Sequence, residues 1–375
     1  MKRIASLLTL MFLVVSVAYA DKPLQFIFSE DISYDDNIYS TKDDKKSSAI
    51  SSSQLFAKYS SNIPNSGLKI GANANVGYNA YSEEPAKNDY INAGAGLNIG
   101  NSKFSLDEKF LYTADPATSE LTERAKRINN TASFRFKTSL EKMFSIGFVV
   151  SDIFDKYIDD EYKSLNRNRI NAGAQLYYNV SPKTSFYFAY LFSNIKYEDN
   201  ENYDSTGNSF SLGVNGSIAK KMKGTAQISY DTRSYDKEVE GTDKDFGIFG
   251  YLLSLTYEPT AKDSIILSGE RKMEESTFAN NRYYISTEIG LEYKHKIQQK
   301  WTLGLLASYE NIGYPETVDN LNRTDDLIKV KPSIEYKFKD YLFASLWYQF
   351  KNKASNYEAV EYLDNKVGIQ MKLCF

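Results

Sequence analysis

Residues 209–218 read Ser-Phe-Ser-Leu-Gly-Val-Asn-Gly-Ser-Ile, so every second residue from Phe210 to Ile218 is apolar or glycine. The residues between them are Ser, Gly and Asn. A period of two residues predicts a β-strand with one apolar and one polar face. The same alternation returns in the ranges 68–79, 91–99, 132–140, 170–180 and 328–338. The sequence therefore predicts an all-β protein.

The connections between these strands are of two kinds that alternate along the chain. Short connections lie every 37 to 41 residues, near Pro64, Asn101, Glu141, Pro182, Lys221, Ala261, Gln299 and Asp340. Longer polar segments lie between them, among them Ser82–Asp89, Asp115–Lys126, Lys237–Asp245, Pro315–Asp326 and Asn352–Asn365. Two strands per repeat give about 18 strands, joined as an up-and-down antiparallel meander.

The apolar faces need either a second protein layer or lipid to cover them. The predicted strands run for roughly 10 to 14 residues, which is longer than the usual 5 to 6 of soluble sheets and enough for a tilted membrane crossing. This favours a transmembrane antiparallel β-barrel with short periplasmic turns and longer extracellular loops. A secreted β-sandwich or adhesin is the alternative. Aromatic residues at the strand ends predict two interfacial girdles, formed by Tyr78, Tyr112, Tyr157, Tyr197, Tyr235 and Tyr314 on the loop side and by Phe104, Phe144, Tyr257, Trp301 and Tyr336 on the other.

The composition excludes several classes of site. An aromatic content of 14% argues against disorder. One cysteine, Cys374, excludes an internal disulfide and a thiolate metal cage, and one histidine, His295, excludes a site with two imidazoles, so no cofactor is expected. The net charge of −3 gives no indication of a nucleic-acid partner.

The first twenty residues have the pattern of a secretory signal peptide. Lys2 and Arg3 precede an apolar stretch from Leu7 to Val17, and Ala18-Tyr19-Ala20 supplies an A-x-A cleavage site. We therefore expect residues 1–20 to be removed and residues 21–375 to form the barrel.

The first predicted strand carries a family resemblance. Ile27-Phe28-Ser29 is followed by Ser33-Tyr34-Asp35-Asp36-Asn37-Ile38-Tyr39. This opening resembles the putative β-barrel porin type 2 family, whose members begin with a similar Tyr-x-Asp-Asn-aliphatic stretch. The resemblance implies a bacterial outer-membrane barrel, and it extends to exopolysaccharide export, because some members of that family look like stand-alone secretion porins.

Three alternative functions were weighed against a passive channel. A barrel enzyme would need His295, which shares the parity of Leu291 and Tyr293 and so belongs on the outer face near a short turn; we expect no enzyme. A plugged transporter would need 22 strands and a plug ahead of the first strand, which begins within a few residues of Asp21. A structural or adhesive barrel stays open as the alternative to a porin-like channel for polar solutes or a secreted polysaccharide.

Parity also assigns the residues of the pore wall. The predicted inward residues are Lys69, Arg135, Lys137, Asp231, Arg233, Glu270, Lys272, Glu288, Glu292, Lys294, Lys329, Lys331, Glu335, Lys337, Lys351 and Lys372. Eleven are basic and five acidic, which predicts a mildly basic lumen that favours anions. The alternative is that some of these lysines snorkel at the rims.

The last strand ends in an aromatic residue on its apolar face, formed by Val367, Ile369, Met371, Leu373 and Phe375. This pattern resembles the assembly signal of bacterial outer-membrane proteins, with Phe375 as its terminal residue. The expected partners are outer-membrane lipid and lipopolysaccharide, the barrel-assembly machinery and periplasmic polysaccharide-export components.

Overall fold

The computed structural model describes residues 24–116, 124–276, 281–318 and 321–375, so the predicted signal peptide lies outside the described residues. The short helical elements are a one-turn α-helix, Pro85–Asn88, and three 3₁₀ turns, Asp160–Leu165, Glu201–Tyr203 and Glu358–Val360. The strands are β1 Leu24–Asp35, β2 Ser48–Asn62, β3 Lys69–Tyr81, β4 Tyr90–Gly100, β5 Phe104–Asp115, β6 Ala125–Ser139, β7 Phe144–Tyr157, β8 Arg167–Ser181, β9 Thr184–Tyr197, β10 Ser205–Ala219, β11 Met222–Tyr235, β12 Asp245–Tyr257, β13 Asp263–Glu275, β14 Tyr283–Lys296, β15 Trp301–Val318, β16 Leu321–Lys339, β17 Leu342–Ser355 and β18 Tyr362–Cys374. No helix among the described residues is long and apolar enough to cross a membrane.

The eighteen strands form one closed antiparallel barrel. Each strand pairs with its neighbours in sequence, and β1 pairs with β18 from Ile27↔Cys374 to Asp35↔Lys366. Closure gives each of the eighteen strands a partner on both sides, which removes the long free edges that promote edge-to-edge aggregation. The predicted up-and-down barrel of about 18 strands is confirmed.

The two kinds of connection separate to opposite ends of the barrel. Eight short connections fall where the sequence predicts them, and we call this end the short-turn end; the longer connections gather at the loop end. Two predicted loops are wrong in length. Pro315–Asp326 is almost entirely strand, because β15 and β16 pair up to Val318↔Leu321. A register shift between Gly313 and Thr317 accommodates Pro315, which cannot donate to a ladder.

The second wrong loop is Asn352–Asn365. β17 continues to Ser355 and β18 begins at Tyr362, so only residues 356–361 connect them. The charged residues that made this segment look like a loop, Lys353 and Asp364, are buried at the ends of the two strands.

The barrel is apolar outside and polar inside. Large apolar side chains such as Phe249, Ile228 and Ile32 are exposed on the outer face by 77%, 65% and 62%. On the inner face, Ser193 donates to Asn171, which donates in turn to Ser151 (2.7 and 3.0 Å). This distribution is that of a wall between lipid and an aqueous interior.

The loop-side girdle prediction is partly wrong. Tyr157, Tyr197, Tyr235 and Tyr314 are buried, not exposed at the outer surface. Arginine guanidinium groups lie over these four rings, with carbon-to-centroid distances of 5.9, 5.9, 3.8 and 4.4 Å for Arg127–Tyr157, Arg167–Tyr197, Arg282–Tyr235 and Arg323–Tyr314. Cation–π contacts of this kind stabilise by about 0.5–2 kcal/mol each. These tyrosines therefore stabilise the loop end through contacts with arginines. Exposed rings such as Tyr78, Tyr190 and Tyr348 occupy the outer surface instead.

Candidate pore and its constriction

Side chains of the lumen are those that alternate with exposed apolar residues along a strand. On β11, Ile228 and Tyr230 are exposed to the outside. Ser229 and Asp231 lie on the opposite face, where the serine hydroxyl donates to the carboxylate over 2.7 Å. The alternation of the pleat thus assigns a face to every wall residue.

All sixteen residues predicted to line the pore occupy inner-face positions of their strands. They are spread along the barrel, from Lys69 and Lys372 near the short-turn end to Arg233 near the loop end. Their contribution to conduction stays a prediction.

Most of the predicted basic residues are already paired with carboxylates. Seven of the eleven form ion pairs: Arg135 with Asp107 (3.1 Å), Arg233 with Glu275, Lys272 with Glu270 and Glu274 (2.8 Å each), Lys294 with Glu292, Lys337 with Asp340 (2.6 Å), Lys351 with Asp364 (3.4 Å) and Lys372 with Glu335 (3.3 Å). Pairing reduces the charge that each of these groups presents to a passing solute.

Four lysines form no ion pair within the described ranges: Lys69, Lys137, Lys329 and Lys331. The ammonium groups of Lys137 and Lys331 instead lie over inward-facing aromatic rings, at 3.6 Å from the Tyr177 centroid and 4.0 Å from the Trp347 centroid. Lys329 is in register with Lys351 on β17. Lys329 and Lys331 thus place two lysines without ion pairs on the same face of β16.

Several further charged residues, absent from the predicted set, lie on the inner wall. Asp31 accepts a hydrogen bond from the Trp347 indole (2.8 Å), and Glu310 accepts one from Ser286 (2.5 Å). Asp107, on a strand whose parity was ambiguous in the sequence, pairs with Arg135. The excess of six basic residues thus describes the predicted set and not the whole wall.

The β13–β14 hairpin leaves the wall and enters the lumen at the loop end. Pairing between β12 and β13 stops at Tyr251↔Arg271, although β12 continues to pair with β11 and β13 with β14. Beyond that point the Tyr283 ring stacks on the Phe246 ring of β12, with centroids 3.8 Å apart. Phe246 lies on the face of β12 opposite to the exposed Phe249, which is the inner face. The start of β14 at Tyr283 therefore lies inside the barrel.

Glu275, at the end of β13, fastens this hairpin to the inner wall of the nearby strands β8, β9 and β11. Its carboxylate pairs with Arg169 (3.1 Å) and Arg233 and accepts a hydrogen bond from Tyr197 (3.2 Å). The Glu275 side chain is only 5% exposed. Arg167 donates a hydrogen bond to the Tyr197 hydroxyl over 3.4 Å. We call Arg167, Arg169, Arg233 and Tyr197 the arginine cluster.

The sequence analysis does not single out Glu275, whose place in the alternation of β13 is an outward one if the strand stays in the wall. The available signal is the charged run from Glu270 to Glu275, in which Arg271 and Glu275 occupy outward positions. Such a run is incompatible with lipid contact.

Four connections converge on one side of the loop end. Arg282, which is 3% exposed, donates to the carbonyl oxygens of Asn202 (3.3 Å), Lys237 (3.0 Å) and Asp243 (2.6 Å). Glu316 of the β15–β16 hairpin accepts from the Asp243 amide over 3.0 Å. The mouth is narrowed on this side by side chain to backbone contacts between loops.

The loops on the other side are linked by charged contacts. Tyr39 of the β1–β2 loop donates to Glu84 over 2.7 Å, and Lys42 pairs with Glu361 over 2.8 Å. The hydrogen bond from Lys42 holds the pKa of the Glu361 carboxyl below its ordinary value. The first loop is thereby tied to both neighbouring loops.

A comparison with protein families decides the identity of this barrel, because the sequence model of the family described as "Putative beta-barrel porin 2" matches residues 27–375. The chain belongs to that family. The match covers nearly the whole barrel and confirms the resemblance seen at its first strand. None of the curated proteins matches this porin.

Several solved structures share this fold. A BenF-like porin from Pseudomonas fluorescens Pf-5 has a TM-score of 0.54 and 10% identity, covering 95% of this chain and 99% of that chain. The outer membrane protein OpdK from Pseudomonas aeruginosa has a TM-score of 0.53 and 8% identity, covering 94% and 99%. OccK2 (OpdF) from Pseudomonas aeruginosa in complex with glucuronate has a TM-score of 0.52 and 8% identity, covering 95% and 98%. At such low identity the likeness concerns the fold alone.

The carboxyl terminus of the porin closes the wall at the short-turn end. Phe375 exchanges two backbone hydrogen bonds with Phe26 (2.8 and 2.9 Å), and its ring is stacked 6.4 Å from the ring of Tyr341. Phe375 is therefore part of the β1–β18 seam. Its action as an assembly signal stays a prediction.

His295 of the porin lies near a short turn, as predicted. Its Nδ1 lies 2.8 Å from Asp263, whose carboxylate also accepts hydrogen bonds from Tyr293 (2.9 Å) and Thr260. Both hydroxyls thus interact with the aspartate and not with the imidazole. The arrangement orients a histidine at the barrel rim.

Proposed function

We propose that this porin is a passive, water-filled outer-membrane channel for small polar solutes, with a mild preference for anions. An 18-strand barrel is wide enough to leave an aqueous channel after its side chains are accounted for. The family and the fold of its structural neighbours support a channel, and the solute preference rests on the charges of the wall.

The observation that carries the proposal is the β13–β14 hairpin inside the lumen. A hairpin that projects from the wall into the lumen reduces the cross-section over a short length, where a few charges act on each solute. The negative charge of Glu275 is neutralised by the arginine cluster. Arg167 and Arg169 of that cluster lie on the inner wall beside it. Lys329 and Lys331 on β16, which form no ion pair with any described residue, add positive charge to the wall.

The preference is tested with the double variant Lys329→Glu/Lys331→Glu, which changes the wall by four charge units. In planar bilayers with a salt gradient, the unaltered protein should give single channels with a reversal potential on the anion side. The variant should shift it toward cations. The shift should be large near 0.01 M salt, where the Debye length is about 30 Å, and small near 1 M, where it is about 3 Å.

The matched control is Lys220→Glu/Lys221→Glu, which makes the same charge change in the two-residue turn between β10 and β11. This control should leave selectivity nearly unchanged. Equal shifts from both variants would assign the selectivity to general surface charge. Folded protein without channel activity would contradict the proposal and favour the structural or adhesive barrel.

A second candidate is the passage of a secreted polysaccharide, which the family resemblance implies. Aromatic rings on the inner wall favour it, since Tyr177 and Tyr187 lie 5.9 Å apart and Trp347 also faces inward. Such rings offer apolar faces to the C–H-rich side of a sugar. Block of the channel current by an oligosaccharide, and its loss in Tyr177→Ser, would distinguish this candidate from a general diffusion pore.

The proposed location is the bacterial outer membrane with the short turns in the periplasm. Outer-membrane lipid and lipopolysaccharide would contact the apolar outer face, and the barrel-assembly machinery would act on the β1–β18 seam. Periplasmic polysaccharide-export components are partners only under the second candidate.

A further inference from the structure

We propose that Asp35, Asp36 and Asp364 form a calcium-binding site that fastens the β1–β18 seam at the loop end. The site lies where the sequence motif Tyr34-Asp35-Asp36-Asn37 meets the first residues of β18. Neither the barrel fold nor the proposed channel function requires it.

The three carboxylates converge from both sides of the seam. One oxygen of each lies within 4.8 Å of the others. An ion near the centre of such a triangle lies within about 2.8 Å of all three oxygens, close to the 2.3–2.6 Å of calcium–oxygen bonds. Asp35 ends β1 and Asp364 lies near the start of β18, so an ion there would bridge the first and last strands.

The second observation is a buried acceptor without a donor. Asp364 is 3% exposed, and its Oδ1 accepts no hydrogen bond from any described residue. Its other oxygen lies 3.4 Å from the Lys351 ammonium. A buried carboxylate oxygen without a partner is costly, and a cation supplies the missing interaction.

The remaining contacts orient the carboxylates and leave lone pairs for an ion. Asp36 accepts from the backbone and side-chain amides of Asn365 (2.7 and 2.8 Å). Asp35 accepts from the Asn37 amide (2.9 Å) and lies 3.7 Å from Lys366. Asn37 is itself held, because its side chain donates to the Leu363 carbonyl over 3.0 Å.

The chemistry of the donors selects the class of ion. Three carboxylates face two ammonium groups, those of Lys351 and Lys366, so one negative charge is left over. All donors are hard oxygens, and no nitrogen or sulfur ligand joins them among the described residues. Calcium suits such oxygen sites and tolerates irregular geometry, whereas magnesium demands a near-ideal octahedron.

The test uses the mature protein refolded in detergent without lipopolysaccharide, which would itself bind calcium. Calcium chloride is titrated by calorimetry, and thermal unfolding is followed in calcium and in EDTA. The unaltered protein should bind one calcium per chain and unfold at a higher temperature in calcium. Asp364→Asn should weaken binding at least tenfold and remove the calcium-dependent shift.

Two further variants keep the test decisive. Asp36→Asn covers the case in which Asp364→Asn does not fold, and it should also lose the shift. Asp340→Asn, in an exposed short turn, is the matched control and should behave like the unaltered protein. Absence of binding would overturn the proposal. So would equal loss of the calcium effect in Asp340→Asn, or a calcium-independent gain of stability in Asp364→Asn.

Discussion

Removing the charge of Glu275 should release the hairpin that narrows the lumen. The variant Glu275→Gln keeps the shape of the side chain but leaves Arg233 and Arg169 without their carboxylate. Breaking a buried ion pair from one side costs about 3–5 kcal/mol. We expect the lower end, because the Arg169 side chain is 28% exposed and can turn toward water.

At about 1.4 kcal/mol per factor of ten, the docked hairpin should lose at least roughly a hundredfold in relative population. Single-channel recording should then give larger mean conductance and more current noise than the unaltered protein. The preference for anions should also increase, since the arginine cluster no longer binds an internal carboxylate.

The neighbouring Glu274→Gln is the control. Glu274 pairs with Lys272 over 2.8 Å on the same hairpin, but both side chains are about one third exposed or more. Its loss should change conductance little, because exposed pairs contribute about 0–1 kcal/mol. The reasoning is refuted if Glu275→Gln leaves conductance and selectivity unchanged, or if Glu274→Gln has the same effect.

Two further predictions concern topology and assembly. A tag inserted between Gly241 and Thr242, in the β11–β12 loop, should be labelled on intact cells. A tag between Lys221 and Met222 should be labelled only after the outer membrane is permeabilised. The reverse pattern would contradict the proposed orientation, in which the loop end faces the cell exterior. Deleting Phe375 removes two backbone hydrogen bonds from the seam and should reduce the heat-modifiable folded band on a gel. Phe338→Ala, which removes another exposed aromatic at the same end, should leave that band unchanged, and equal loss in both would indicate general destabilisation.

The sequence was sufficient for the barrel because lipid contact imposes a strict alternation on each strand. Ile228 and Tyr230 on the outside, and Ser229 and Asp231 on the inside, follow from their spacing alone. The turn positions followed for the same reason, since each apolar run must end where the strand leaves the membrane.

Features that depend on tertiary contacts were not accessible in this way. Glu275 lies inside the barrel although its position in the strand is an outer one, because the hairpin bends away from β12. Tyr157, Tyr197 and Tyr235 look like interfacial aromatics in the sequence, yet arginines from other segments cover them. Pro315 looks like a loop residue and lies in a strand with a bulge.

The separation of β12 from β13 makes the wall mechanically uneven. β12 is in register with β11 over thirteen residue pairs but with β13 over only seven. Beyond the last residue pair, no backbone pairing joins the described parts of β12 and β13, and the Arg271 side chain donates a hydrogen bond to the Phe249 carbonyl there (3.1 Å). On heating or under force, the barrel should therefore open first between β12 and β13 at the loop end. The half of β12 nearest the loops should exchange its amide protons before the rest of the wall.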